Sequence, residues 1–427
     1  MIIGSNIVER ELHKEEKIKI LLVFPVAFFI FGIIMEMIDN GNVIDIVSGM
    51  GNIVFSPTIL LTDFIKIGGT GAAFINSAII GFLNLYLLKK YEMRINGLLI
   101  AAFMTVLGFS FMGKNILNIL PIYFGGYLYT RYQKISVRDI LLVIMFSTAL
   151  APLVSEIMFS GIVSSGFGIV VGLLVGTLIG FIITPLSAHM IRFHDGFNLY
   201  NIGFTAGIIG TVFAGVLRAM NMNISPVRIV CEQNDIAMIA MLSFLFLYLM
   251  GVGFWVNKNS STDYRNIVKY NGRTITDFTQ LLGYGVTFFN MGLMGMLSLG
   301  YVLLVGGIVN GPVLAGIFTI VGFSAFGKHP KNCIPIILGV VAIAAMLGYD
   351  LSSTEMIITV LFSTTIAPIA GTYGVGIGVL AGMLHLAVVN NIGVVHGGIN
   401  LYNNGFSGGI VAGFLVPIID AFQKGGE

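Results

Sequence analysis

Asn198, Tyr200 and Asn201 sit in HDGFNLYNIGFTAG (194–207), and the same three side chains return as Asn400, Tyr402 and Asn403 in HGGINLYNNGFSGG (396–409). Each amide offers two donors and an acceptor, and a helix start presents free N–H groups, so such a cluster suits a carbonyl oxygen or an anion. Thr205 and Ser407 fall in the first turn of the apolar stretch that follows, and Gly203 and Gly405 leave room for close approach. A competing reading is a helix cap at the lipid interface with tyrosine at headgroup level. A bare cap needs one Asn or Ser, whereas the two copies share several identities across the loop, which favours a functional role. His194 and His396 carry less weight, because Asp195 beside the first is Gly397 beside the second.

Other polar pairs are duplicated within apolar surroundings. Asn76 ends GTGAAFIN (69–76) and Asn290 ends GYGVTFFN (283–290); they are candidate solute ligands or, equally, hydrogen bonds between close-packed helices. Ser147 and Thr148 in FSTALAP (146–152) match Ser363 and Thr364 in FSTTIAP (362–368). There the proline frees a carbonyl one turn earlier, so the segment is either a broken helix lining a watery cavity or a kink with its hydroxyls bonded back. GFSFMGK (108–114) and GFSAFGK (322–328) imitate a phosphate loop, but Asn115 and His329 stand where Ser or Thr must hold magnesium. These glycines are expected to cap helices, with Lys114 and Lys328 at the membrane interface. Gly168, Gly172, Gly176 and Gly180, and the shorter run Gly374, Gly378 and Gly382, read as packing seams. Asp63 and Asp277 are duplicated too, at helix starts, and no carboxylate is central to an apolar segment. That tilts the reading towards a passive pathway or one coupled through amides and hydroxyls. Cys231 and Cys333 have no metal-ligand spacing and read as unpaired. No metal, cofactor or catalytic nucleophile is expected.

The elements that must carry these groups are membrane helices. The 427 residues are 56% hydrophobic and 10% charged, with mean hydropathy +0.95, whereas a soluble domain is about 25% charged. Apolar runs of about 20 residues recur, and lipid demands that their backbone groups be satisfied within the segment. Net charge +2 is far from the basic excess of a nucleic-acid binder, so no such partner is expected. NIVFSPTILLTDF (52–64) also returns as NIVKYNGRTITDF (266–278), so five matches run in one order. The chain is therefore two repeats, 1–220 and 236–427, joined by a connector at 221–235. Each holds about seven apolar segments, those of the first near 17–37, 66–88, 95–112, 116–132, 139–158, 166–189 and 202–220. An odd number of crossings inverts the second repeat. The basic loops agree: Lys89, Lys90, Arg94, Arg131, Lys134 and Arg138, then Lys258, Arg265, Lys269 and Arg273, with Lys328 and Lys331, fall on one side, and Lys114 is the exception. The expected fold is an all-α polytopic membrane protein of two inverted repeats, about fourteen segments in all, with both termini cytoplasmic and the charged N-terminal stretch retained.

Through HxGxNLYNxGF and FSTxxAP the chain resembles, over its whole length, a family of duplicated bacterial membrane proteins known as a domain of unknown function (DUF1576-like). That implies a multi-pass protein of the bacterial inner (cytoplasmic) membrane and no established activity. GLLVGTLIG followed by GFNLYNIGFTAGIIG, with GxGxxFxN, locally resembles the urea transporter family, although NNP is absent and the motif order differs. The expected function is a channel or facilitator passing a small polar solute or anion between the repeats. An ion-coupled secondary transporter is the runner-up, and a membrane scaffold or signalling protein the alternative from another class; an enzyme is not expected. The partners are the bilayer and the solute, and a homo-oligomer is left open.

Overall fold

The computed structural model describes residues 10–39, 42–224 and 226–424; positions 1–9 of the charged N-terminal stretch lie outside the described residues. The first repeat comprises α1 (Lys14–Asp39), α2 (Asp45–Val54), α3 (Phe64–Lys90), α4 (Gly97–Phe109), α5 (Ile116–Gln133), α6 (Val137–Ser147), α7 (Ala151–Phe159), α8 (Ser165–Met190) and α9 (Asn201–Ala219). The second comprises α10 (Ile236–Val256), α11 (Ser260–Asp263), α12 (Phe278–Leu281), α13 (Gly283–Leu304), α14 (Gly311–Phe323), α15 (Pro330–Met346), α16 (Thr354–Ser363), α17 (Ala367–Tyr373), α18 (Val375–Ile392) and α19 (Asn403–Lys424). Among the described residues 10 helices are long and apolar enough to cross a membrane, five from each repeat, with α6–α7 and α16–α17 each counted as one.

All fourteen apolar segments are helical, but four of them do not make separate crossings. With 13 residues each, α4 and α14 rise about 20 Å, short of a roughly 30 Å hydrocarbon core. Helix α4 turns at residues 110–115 and hands over to α5, which returns to where α4 began: Arg138 Nε donates to the Tyr91 carbonyl at 3.0 Å. The α14–α15 hairpin likewise comes back to its base, where Asn310 Nδ2 donates to Thr354 Oγ1 at 2.8 Å. Seven crossings per repeat thus become five and a hairpin. The count stays odd, so the argument for inversion survives. Lys114, the exception among the loop charges, is at a hairpin tip, as is Lys328, and neither belongs to an aqueous loop.

The two short helices pack antiparallel at the centre, where α4 and α14 are buried almost throughout. Apolar residues on every face of a helix require such a position. Glycine permits the contact: a Cβ on Gly108 would come 2.8 Å from the Phe318 Cβ, and one on Gly322 2.8 Å from the Met104 Cβ. Asn96 caps α4 by accepting from the Leu99 N–H at 3.0 Å, and Asn310 caps α14 by accepting from Val313 at 3.2 Å. Each N-terminus is also held by the other repeat. Asp277 accepts from the Gly97 N–H at 3.1 Å, and Asp63 from the Gly311 N–H at 3.2 Å. A carboxylate is favoured there because the helix dipole ends in uncompensated N–H groups.

The glycine runs form seams, with Gly172 and Gly176 facing Met158 and Pro121, Gly378 facing Ala370 and Pro335, and Gly382 facing Ile336; Gly374 is not part of its seam but joins α17 to α18 at φ 88°, a positive value that glycine permits. The FST segments are not re-entrant. Each continues through one 3-10 turn, Thr148–Leu150 or Thr364–Ile366, into the proline-started helix beyond. Both cysteines are free.

Candidate functional site

The hairpin tips set the site. Asn76 Nδ2 donates to the carbonyls of Ser110 (2.7 Å) and Lys114 (2.9 Å), and Asn290 Nδ2 to those of Ser324 (2.7 Å) and Lys328 (2.8 Å). The Nδ2 groups are spent on backbone that the sharp turns leave bare, so Asn76 and Asn290 hold the tips in place; Asn290 Oδ1 accepts from Tyr264 Oη at 3.1 Å, and Asn76 Oδ1 is buried with no partner among the described residues. Lys114 and Lys328 were expected at the interface, but both are fully buried. Lys114 Nζ donates to Tyr402 Oη at 2.5 Å, and Lys328 Nζ donates to Tyr200 Oη and, at 2.7 Å, to Thr364 Oγ1. Each tip thus reaches the tyrosine of the opposite repeat. Among the described residues neither lysine has a carboxylate within 4.0 Å. A buried lysine amine without a carboxylate partner depends on such neutral groups for its hydrogen bonds.

The two NLYN motifs meet back to back. Asn198 Nδ2 donates to the Gly405 carbonyl at 2.9 Å and Asn400 Nδ2 to the Gly203 carbonyl at 3.3 Å. A Cβ on Gly203 would come 2.8 Å from the Tyr402 Cβ, and one on Gly405 2.9 Å from the Tyr200 Cβ, so only glycine allows the crossing. Contacts then run in opposite directions along α9 and α19: Gly409 meets Phe204 and Gly413 meets Phe193, whereas Gly210 meets Ile399 and Arg218 bonds the Val395 carbonyl. Asn201 and Asn403 each accept from the histidine of their own motif, His194 at 3.1 Å and His396 at 2.8 Å, if those rings carry the proton on Nε2. Tyr200 and Tyr402 are buried, which replaces the headgroup-anchor reading.

The FST hydroxyls bond back to their own helices, Ser147 to Ile144, Thr148 to Met145, Ser363 to Val360 and Thr364 to Leu361. Thr364 has a second role as acceptor for Lys328. Thr365, whose counterpart Ala149 hides it from a search for duplicated polar residues, donates to Asn198 Oδ1 at 2.5 Å and accepts from the Tyr200 N–H at 3.1 Å. The backbone repeats the contact on both sides: Leu199 N–H donates to the Thr365 carbonyl and Leu401 N–H to that of Ala149.

Around this frame lie two cavities. The first, about 300 Å³, includes Thr105, Phe109 and Tyr200 with their counterparts Thr319, Phe323 and Tyr402, and extends along Leu142, Ser187 and Ile191 to the half-exposed Thr274. The second, about 410 Å³, is lined by Ile358, Val389, Gly393 and Leu60, the repeat-related positions of those four, and reaches the exposed Arg228 and Asn390. Thr274 lies at the Gly97 end of the α4–α14 pair, because residues 270–277 pack beside Ala325 and Gly327; Leu60 and the connector lie at the Gly311 end, through Asp63. The cavities therefore open at opposite ends of the molecule. Paired rings line the junction: Phe109 stacks on Phe362 (5.4 Å, 24°), and Phe323 lies against Phe146 (5.9 Å, 32°). Of the expected residues, Tyr200, Asn201 and Tyr402 line the first cavity and Asn403 the second. Asn76, Asn290, Asn198, Asn400 and the FST hydroxyls stand behind the walls. Among the described residues no cluster of His, Cys, Asp or Glu is placed to hold a metal ion.

No curated protein and no solved structure matches the chain. A family model described as a protein of unknown function (DUF1576) matches residues 42–219 and 256–421, one stretch in each repeat. The chain, a polytopic helical membrane protein built by duplication, belongs to that family.

Proposed function

We propose that this protein is a membrane transport protein, a channel or facilitator that passes a small polar solute or anion between its inverted repeats. The observation that carries this reading is the pair of repeat-related cavities, which approach one another at the molecular centre from opposite ends. Structural glue alone would not need two matching voids, because protein interiors are ordinarily close-packed. In the orientation favoured by the basic loops, the first cavity, which contains the centre, faces the cytoplasm. A second reading, coupled transport, is favoured by Glu156: this buried carboxyl lies within a spanning helix of the first repeat alone, and its Oε2 lacks a partner among the described residues.

The test is reconstitution into liposomes, with uptake of uncharged and anionic solutes compared with protein-free vesicles. Leu142→Trp, which fills the first cavity, should lower flux at least tenfold in protein that still elutes as a folded species. Wild-type protein that raises the permeability of no solute would remove the transport reading.

A further inference from the structure

The two cavities share Phe362, Leu401 and Asn404, so these residues form the partition between them. Phe362 and Leu401 have like counterparts, Phe146 and Leu199, but Asn404 corresponds to Ile202. Its hydrogen-bond partner breaks the repeat in the same way. His385 Nε2 lies 2.9 Å from Asn404 Oδ1, and the first repeat has Ile183 at the position of His385. His385 is fully buried and Asn404 nearly so, and His385 Nδ1 has no partner among the described residues. The duplication supplies an internal control. Two isoleucines fill this space in one repeat, so packing does not require a polar pair in the other, and burying one with an unmet nitrogen is unfavourable.

Charge narrows the ligand. No Asp, Glu, Lys or Arg lines the first cavity, and the two that line the second, Arg228 and Glu355, are paired with each other at 2.6 Å. Lys114 and Lys328 lie outside both linings, behind the tyrosines they bond. What faces the path is aromatic and aliphatic surface with scattered hydroxyls and amides, among them the Thr105 hydroxyl, which has no partner among the described residues. Such a wall suits a small uncharged molecule that carries a hydrogen-bonding group.

We propose that Asn404, oriented by His385, is the specificity-determining position of the pathway and hydrogen-bonds a small uncharged solute as it crosses between the cavities. This rests on the transport reading. His385 is a positioning residue and does not touch the solute.

The experiment measures stopped-flow permeation of glycerol and acetamide, and influx of chloride and nitrate, in proteoliposomes. It compares wild type with Asn404→Ile, His385→Ile and the double variant, which rebuilds the first repeat's packing and should fold. Permeation of glycerol and acetamide by wild type, reduced at least tenfold in Asn404→Ile and in the double variant with no loss of thermal stability, is the expected result. His385→Ile alone should change the acetamide-to-glycerol ratio, which a purely structural role would not move. Uncharged-solute flux equal to wild type in all three variants overturns the role of Asn404. Wild-type flux of chloride or nitrate but of neither uncharged probe overturns the inference while leaving the transport reading standing, and no flux of any probe overturns both.

Discussion

At the scale of single residues, duplication marked the right positions but not their duties. Asn198 and Asn400 looked like exposed donors for a ligand, yet each amide is used on the opposite repeat's glycine carbonyl. Nothing local in NLYN reveals that, because the acceptor is about two hundred residues away in sequence. Lys114 was misread for the same reason. A lysine after a helix-ending glycine has the local signature of an interfacial cap, and only the approach of Tyr402 from the other repeat makes a buried position tolerable. The pair should therefore be energetically coupled. Tyr402→Phe leaves the buried Lys114 amino group short of a hydrogen-bond partner and is expected to cost about 1–3 kcal/mol. Lys114→Met removes that need, so the double variant should be less destabilised than the two singles summed, by about 1 kcal/mol. Thermal-shift measurements on detergent-solubilised protein close the cycle; strictly additive effects would show that the contact carries no stability.

At the scale of elements, hydropathy located the fourteen apolar segments because an apolar run long enough to bury is visible without tertiary context, whereas the short α2, α11 and α12 were not foreseen. It could not separate a crossing from a hairpin arm. Helix α4 is as apolar as the spanning helices but has 13 residues against their 18 to 27, and it ends at the turn at 110–115, which Asn76 holds. Likewise FSTALAP looked broken because proline removes a donor, but a single 3-10 turn absorbs the loss and the helix runs on. The aspartates were seen as helix starts, and that is half their role. Asp277 accepts from its own Thr279 N–H and from Gly97 of the other repeat, joining two helix N-termini through one carboxylate. Asp277→Asn keeps the shape but loses the charge and one acceptor, and should destabilise the protein by about 1–2 kcal/mol. Asp277→Glu moves the carboxylate out of reach of two N–H groups that lie in fixed positions, and should fare no better. A melting temperature unchanged in both variants would show that α4 does not depend on this anchor.

At the scale of the whole molecule, the α4–α14 contact, the NLYN crossing and the two cavities each obey the same exchange of repeats. Two of the departures, Thr365 for Ala149 and Asn404 for Ile202, lie beside the crossing itself. Exchange by rotation about an axis in the membrane plane requires corresponding loops to face opposite waters, and the five long helices of each repeat produce that. The loop charges then predict which side is which. Lys134 and Asp350 lie in the corresponding loops at the bases of the two hairpins, and both are exposed. In a Cys231→Ser background, with Cys333 already buried, single cysteines at 134 and 350 should react with a membrane-impermeant maleimide from opposite faces. Position 134 should label only after the cytoplasmic side is opened, and position 350 in intact cells. Labelling of both from one face would make the repeats parallel, and the two cavities could not then serve as opposite mouths of one path. Labelling from opposite faces with the sides reversed would preserve the inversion and place the central cavity towards the exterior.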